Sequence, residues 1–559
     1  MIEQIEIDGV QAVFVKRSGP TRAGLQFRVG RADEQLSTSG ITHMVEHLAL
    51  HRFGLTEYHS NGLTSAVATQ FFASGSDSEI STFLHGVCTG LADLPLDRLE
   101  TERAILRTES AARSPGALGR LARIRYGAQG YGLTGYPEYG VGRISADDVR
   151  SWAGSWFTRQ NAILWIAGER VPTELDLPLP EGTRRPAPEP RPVVASAGYI
   201  ESGTGRVIVE SVIRRGMAGR VLALLLEREL FRSLRQEGGY SYTATASYSQ
   251  WGRDSATLTA LADALPEQQD AVLGGVIDVL AQLKAGRLSA GELDLVRTRL
   301  DGTLAEAETE VAGLPGHAAD LLMGRPARTA EELRAELAEV TAEAVHATAL
   351  EALNSALLSV PDGRRADWAG YPEVIRRSPL ALAGLRYPAP QDPQQGLIIG
   401  AEGCSLVDGS GARTVRYAEC AGLLCWPDGG RLLIGTDGVT VPIEPTLFPI
   451  DASVIAPIDG AAARVVIALP ARAPEAVPRR PVAAAPVTVN TATAPGKVKR
   501  MLSGTLAVAL VLLALLSTLG MVEDPTEGED GWLGTGILWC LALVATLAFV
   551  RVRLTRRRP

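Results

Sequence analysis

Apolar and polar positions alternate over residues 1–15 (MIEQIEIDGVQAVFV), the period of a half-buried strand. The pattern then lengthens to helical spacing in Ala/Leu/Arg/Glu-rich stretches and returns to an apolar strand at 161–168 (NAILWIAG). A second stretch repeats this order. It begins with a strand near 198–212, and helices are expected over 219–235, 267–285 and 331–357. The Pro-rich TRRPAPEPRP at 183–192 separates the two stretches. The repeat predicts two α/β domains, residues 1–182 and 193–375, each a sheet with helices packed on it.

From 388 to 470 the pattern changes. Short β-branched or apolar runs alternate with Asp-Gly and Gly-Gly turns, the signature of successive hairpins. This predicts a small all-β module, similar in size and strand length to a pleckstrin-homology domain. A Pro/Ala/Val-rich stretch without helical period, 471–496, reads as a semi-extended linker. Two uncharged runs follow, at 501–522 and 531–550. The first would make a helix about 33 Å long, enough to span a bilayer. The loop EDPTEGED between them is acidic, whereas Lys497, Lys499, Arg500, Arg551, Arg553 and Arg556 to Arg558 flank their outer ends. The positive-inside rule then predicts a two-helix transmembrane hairpin, a multi-pass plasma-membrane protein with both termini and the folded domains in the cytoplasm.

Composition narrows the function classes. A chain of 559 residues, 46% hydrophobic and 21% charged, is an ordinary globular chain and is not disordered throughout. Its net charge of −8 argues against a nucleic-acid partner. The five cysteines, Cys88, Cys404, Cys420, Cys425 and Cys540, are scattered and form no CxxC pair, so neither a disulfide framework nor a Cys₄ zinc site is expected. The start has no basic segment followed by an apolar one, so no signal peptide is expected there.

The candidate chemistry lies in ITHMVEHLALH. On a helix, His43 and His47 are four apart and share a face, so both imidazoles reach one ion, and Glu46, three after His43, lies on the same side. This is the H-x-x-E-H arrangement, which suits Zn²⁺ with Glu46 as the general base. His51, one turn further on, overshoots the ion. A catalytic zinc needs a third protein ligand. LDRLETERAILRTESAAR offers Glu102 and Glu109, seven apart and on one helix face, one for the metal and the other to hydrogen-bond a ligating imidazole. Glu100 points elsewhere.

Here the chain resembles the M16 metallopeptidases (pitrilysin, insulinase and mitochondrial processing peptidase). The likeness runs through FRVGRADEQLSTSGITHMVEHL, SNGLTSAVATQFF, ETERAILRTE and PEYGVGRISADDVRSWAGSWFTRQNAILWIAG, and covers about the first 375 residues. The resemblance implies an α+β chain whose two α/β sandwich domains form one half of a clamshell. It implies Glu109 as the zinc ligand, Glu102 as its neighbour's support, and Asn61 as a residue at a strand edge that holds substrate backbone. FRSLRQEGGYSYTATASY is similar to a second family stretch and implies that Arg235 and Tyr242 face the zinc from the opposing half, holding substrate and its oxyanion. Two departures stand out: His47 and Glu109 are 62 apart, closer than is usual in the family, and Gly62-Leu63 replaces a small-plus-aromatic pair. With one half per chain, a homodimer or a heterodimer with another such half is implied. The expected activity is that of a membrane-anchored zinc endopeptidase acting on short or unfolded peptides. The alternative is a non-catalytic scaffold or partner subunit of the same fold.

Overall fold

A computed structural model of the chain describes residues 2–51, 59–112, 116–287, 290–309, 313–390 and 392–479. The opening alternation is a hairpin: β1 (Ile2–Ile7) and β2 (Val10–Lys16) pair in antiparallel register. Asp8 and Gly9 between them take φ of 52° and 76°, the left-handed pair that a two-residue hairpin turn requires. The chain continues through β3 (Thr21–Phe27), α1 (Ile41–Leu50), β4 (His59–Thr64), β5 (Thr69–Gly75), α2 (Asp77–Ala92), α3 (Leu99–Ala112), α4 (Gly116–Tyr126), α5 (Ala146–Trp156) and β6 (Ala162–Gly168). The strands form one sheet in the order β1-β2-β6-β3-β5-β4, with β4 at its edge. All seven residues of β6 are buried, as its apolar run requires. One sheet face carries Leu25, Phe27, Phe71, Leu164 and Ile166 against α1, α2, α3 and α5.

A second sheet, ordered β7-β11-β8-β10-β9, is built from β7 (Gly198–Glu201), β8 (Arg206–Arg214), β9 (Ala244–Trp251), β10 (Ser255–Asp263) and β11 (Leu357–Val360). Between these strands run α6 (Met217–Leu230), α7 (Gln269–Lys284), α8 (Ala290–Thr309), α9 (Leu314–Leu322), α10 (Ala330–Ala338) and α11 (Ala342–Ser355). The single helix expected over 331–357 is two helices and a strand. Thr341 caps α11, its side chain accepting from the N–H of Ala344, and the chain turns at the β-branched pair Val340-Thr341 with Val340 in the core. The helix expected over 219–235 ends at Leu230 and continues as a π-helical turn, Phe231–Glu237.

The two α/β domains are stitched together. Helix α9 lays Leu314, Ala318, Leu321 and Leu322 on Val13, Ile163 and Trp165, on the other face of the first sheet. Arg125 of α4 is fully buried and donates through Nε to Glu210 Oε1 (2.8 Å) and through Nη2 to the Glu210 carbonyl (2.7 Å) on β8.

The third module consists of two four-stranded sheets. One holds β12 (Leu385–Ala389), β13 (Asp392–Ile399), β14 (Gly403–Asp408) and β15 (Gly411–Arg416) as an antiparallel meander. The other holds β16 (Cys420–Cys425), β17 (Arg431–Gly435), β18 (Thr440–Ile443) and β19 (Val466–Ala468). The region read as all-β also contains a helix, α12 (Ala452–Ala461), which places Ile455 and Ile458 in the module's core. Asp451 starts it by accepting from the N–H groups of Ser453 and Val454. The module rests on the first domain through Leu424, Ile434 and Ile467 against Leu36, Leu133 and Tyr136.

The expected membrane placement is corrected. Among the described residues no helix is long and apolar enough to cross a membrane. The 16-residue α7, at about 24 Å, is shorter than a bilayer core of ~30 Å and buries its apolar face in the second domain. The 20-residue α8 carries Glu292, Asp294, Arg297, Arg299 and Asp301. The runs 501–522 and 531–550 lie outside the described residues, as does most of the linker 471–496. Multi-pass insertion and a cytoplasmic orientation of the domains are therefore withdrawn.

Candidate metal centre

Helix α1 begins at Gly40, whose φ of 93° suits glycine, and a Cβ there would meet Val141 Cγ2 at 2.6 Å. Its first N–H groups are satisfied from outside the helix. The Glu34 carboxylate accepts from the N–H of Gly40 and of Thr42, each at 2.9 Å. Burial pushes the Glu34 carboxyl up to about 7, against those two donors. Trp152 Nε1 donates to Thr42 Oγ1 (3.2 Å), fixing the helix against α5.

His43 and His47 stand on one face of α1, rings 4.7 Å apart and nearly perpendicular. Each has its Nδ1 engaged by a carboxylate. His43 Nδ1 lies 3.1 Å from Glu138 Oε2, and His47 Nδ1 lies 3.3 Å from Glu102 Oε2. Burial pulls the His43 pKa down, but the carboxylates of Glu138, Glu46 and Glu109 together outweigh it and hold the imidazole above its ordinary range. The Nε2 atoms turn the other way, toward Glu109 on α3: His47 Nε2 to Glu109 Oε1 is 3.7 Å, and His43 Nε2 to Glu109 Oε2 is 3.9 Å. One ligand atom from each of His43, His47 and Glu109 lies within 4.8 Å of the others.

This donor set fits zinc. Tetrahedral coordination at ordinary Zn–N and Zn–O lengths separates ligand atoms by ~3.4 Å, so the two histidine-to-Glu109 gaps of 3.7 and 3.9 Å need only a few tenths of an ångström of closure. An imidazole that donates Nδ1–H to a carboxylate presents a lone pair at Nε2, the form a metal requires. Glu109 is partly open to solvent, whereas Glu102 is buried and also accepts from Arg98 Nη2 (3.2 Å).

Glu46 is buried beside the two histidines, and Thr64 Oγ1 on β4 donates to its Oε2 at 2.6 Å. Burial raises its pKa, against the Thr64 hydroxyl and both imidazoles. Gly62 is where β4 closes on this carboxylate: a Cβ would lie 2.7 Å from Glu46 Oε1 and 2.8 Å from Leu50 Cδ1. A side chain at position 62 would have to displace these two side chains. Asn61, next to it on the edge strand, is exposed, and its Oδ1 accepts from the N–H of Gly62. His51 is exposed at the end of α1, and Glu100 is turned to solvent, paired with Arg103.

Arg235 and Tyr242 lie together elsewhere. Both line a cleft of about 700 Å³ beside α6 and β9, and among the described residues lining it there is none of His43, Glu46, His47 or Glu109. The sequence reading missed Glu138, Glu34 and Thr64. Glu138 stood inside the quoted PEYGVGRI stretch, but with nothing to tie it to His43, 95 positions earlier.

Neither protein-family models nor curated proteins match the sequence. Solved structures do match the fold. A protease from Helicobacter pylori is 17% identical, with a TM-score of 0.54 over 65% of this chain and 99% of that one. The first half of the periplasmic protease PqqL from Escherichia coli is 15% identical, with a TM-score of 0.54 over 67% of this chain and 94% of that one. A peptidase M16 inactive domain from Pseudomonas fluorescens is 14% identical, with a TM-score of 0.54 over 68% of this chain and all of that one. The fold is thus that of M16-like peptidases, and the resemblance holds at that level.

Proposed function

We propose that the chain is a zinc-dependent endopeptidase that acts on short or unfolded peptides and works as a pair of halves. The observation that carries this reading is the convergence of His43, His47 and Glu109, with the buried carboxylate of Glu46 beside them. His43, His47 and Glu109 would hold the zinc. Bound there, zinc supplies Lewis acidity toward a scissile carbonyl and makes a water nucleophilic near neutral pH. Glu138 and Glu102 keep the two imidazoles in the metal-binding tautomer and orientation. Glu46, buried beside both histidines and oriented by the Thr64 hydroxyl, would take the proton of the attacking water and return it to the leaving amine. The position of β4 at the edge of its sheet, with Asn61 exposed on it, suits an extended peptide lying alongside.

Arg235 and Tyr242 would supply donors to the oxyanion from the opposing half, because in their own chain they line a separate cleft. The partner is a second copy of this chain or another half of the same fold. The likeness to an inactive M16 domain favours a second reading, a non-catalytic scaffold of the same fold.

Mixed dimers distinguish these readings. Glu46→Gln and Arg235→Ala chains, each impaired alone, are expected to recover peptide hydrolysis when unfolded and refolded together. Random pairing in a two-fold dimer leaves about a quarter of the wild-type sites intact. Absence of recovery with mixed dimers verified by mass would mean that Arg235 acts within one chain or not at all. Absence of hydrolysis by the zinc-loaded wild type would favour the scaffold.

A further inference from the structure

The cleft around Arg235 carries more positive charge than holding a carbonyl oxygen requires. Arg228, Arg232, Arg235 and Arg299 line it, with Glu227 facing them. Two of these guanidinium groups are already neutralised: Arg232 Nη2 lies 2.6 Å from Glu229 Oε2, with Glu237 on its other side, and Arg299 Nη1 lies 3.4 Å from Glu227 Oε2. Arg228 and Arg235 have no carboxylate partner among the described residues. Two aromatic rings flank Arg235. Its guanidinium lies 5.0 Å from the Phe231 ring and 5.0 Å from the Tyr242 ring. A cation–π contact leaves the N–H groups of the guanidinium able to bind an anion. The π-helical turn Phe231–Glu237, a costly geometry that recurs at functional sites, carries both Phe231 and Arg235 into the cleft.

We propose that this cleft selects the peptide by its charge: with Arg235 at the scissile carbonyl, Arg228 binds the carboxylate of an acidic residue a fixed distance along the substrate. This rests on the peptidase reading above. Arg228 lies in the last turn of α6 and Arg235, seven positions further on, in the π-helical turn that continues it, which puts them no more than roughly 10 Å apart along the axis. An extended peptide covers that length in about three residues. The preferred substrates are therefore peptides with Asp or Glu about three residues from the bond that is cut. Guanidinium-to-carboxylate recognition is bidentate and directional, so Gln in place of Glu forfeits both the charge and one of the two hydrogen bonds.

The test uses the full-length, zinc-loaded Glu46→Gln chain and labelled Ala/Ser peptides that carry a single Glu, Gln or Lys at successive positions, read by fluorescence anisotropy. A Glu peptide is expected to bind about ten-fold more tightly than its Gln counterpart at one register and to lose that advantage at high salt. In Arg228→Gln the ratio should fall to about one, and Arg228→Glu should turn the preference toward Lys, an outcome that misfolding does not produce. Equal binding of Glu and Gln peptides, binding of none of them, or a preference that survives in Arg228→Gln would overturn the proposal. Selective binding without hydrolysis by the wild type would overturn the peptidase reading and leave the cleft's selectivity standing. Hydrolysis without selectivity would do the reverse.

Discussion

Glu46→Gln is expected to lower peptide turnover by about 10²–10⁴-fold while leaving the fold and the zinc content unchanged. The substitution preserves shape. The amide oxygen still accepts from Thr64 Oγ1, and the space against Gly62 and Leu50 stays filled. It removes the ability to take a proton, which a carboxylate possesses and an amide lacks. Because Glu46 is not among the three groups that converge as a metal site, zinc should be retained. The check is the turnover number of variant and wild type in preparations of equal zinc content. Near-normal turnover would assign the proton transfer to another group.

Arg125→Ala is expected to cost about 3–5 kcal/mol of stability, because it strands a buried carboxylate. Arg125 is fully buried and Glu210 nearly so, and the guanidinium also satisfies the Glu210 carbonyl. Removing the arginine leaves two acceptors on β8 without their donor, at the seam between the two α/β domains. Replacing both partners by well-packed apolar residues should recover much of the loss, since such swaps are often close to neutral. Denaturant unfolding measures this as a shift in midpoint. A change below about 1 kcal/mol would mean that the seam is held elsewhere.

What the sequence made legible was local or periodic. The four-residue spacing of His43 and His47 defines one helix face, and the seven-residue spacing of Glu102 and Glu109 defines another. The structure brings these two faces together. The residues left unread act from outside the helices that carry the motifs, and Thr64 reaches Glu46 from the end of β4. Glu138 reaches His43 from the position just before the 3₁₀ turn Tyr139–Gly142, and Glu34 caps α1 from the loop before it. Neither position carries a periodic signal. The split of 331–357 at Thr341 followed N-cap chemistry inside an otherwise continuous helical pattern. The apolar helix α12 was hidden among hairpin signals of equal hydrophobicity. Choosing Glu109 over Glu102 as the ligand needed the family resemblance, because spacing alone treats the two alike.

The most direct test of the zinc-peptidase account is a zinc titration of chelator-stripped protein, followed simultaneously by metal content and by hydrolysis of a quenched peptide, with Glu109→Ala alongside. Wild type should gain activity in step with bound zinc and saturate at about one zinc per chain, the stoichiometry of a single three-ligand catalytic site. Glu109→Ala should fail to hold zinc under the same conditions and remain inactive. Hydrolysis that persists without zinc, or zinc retention in Glu109→Ala equal to that of wild type, would contradict the account.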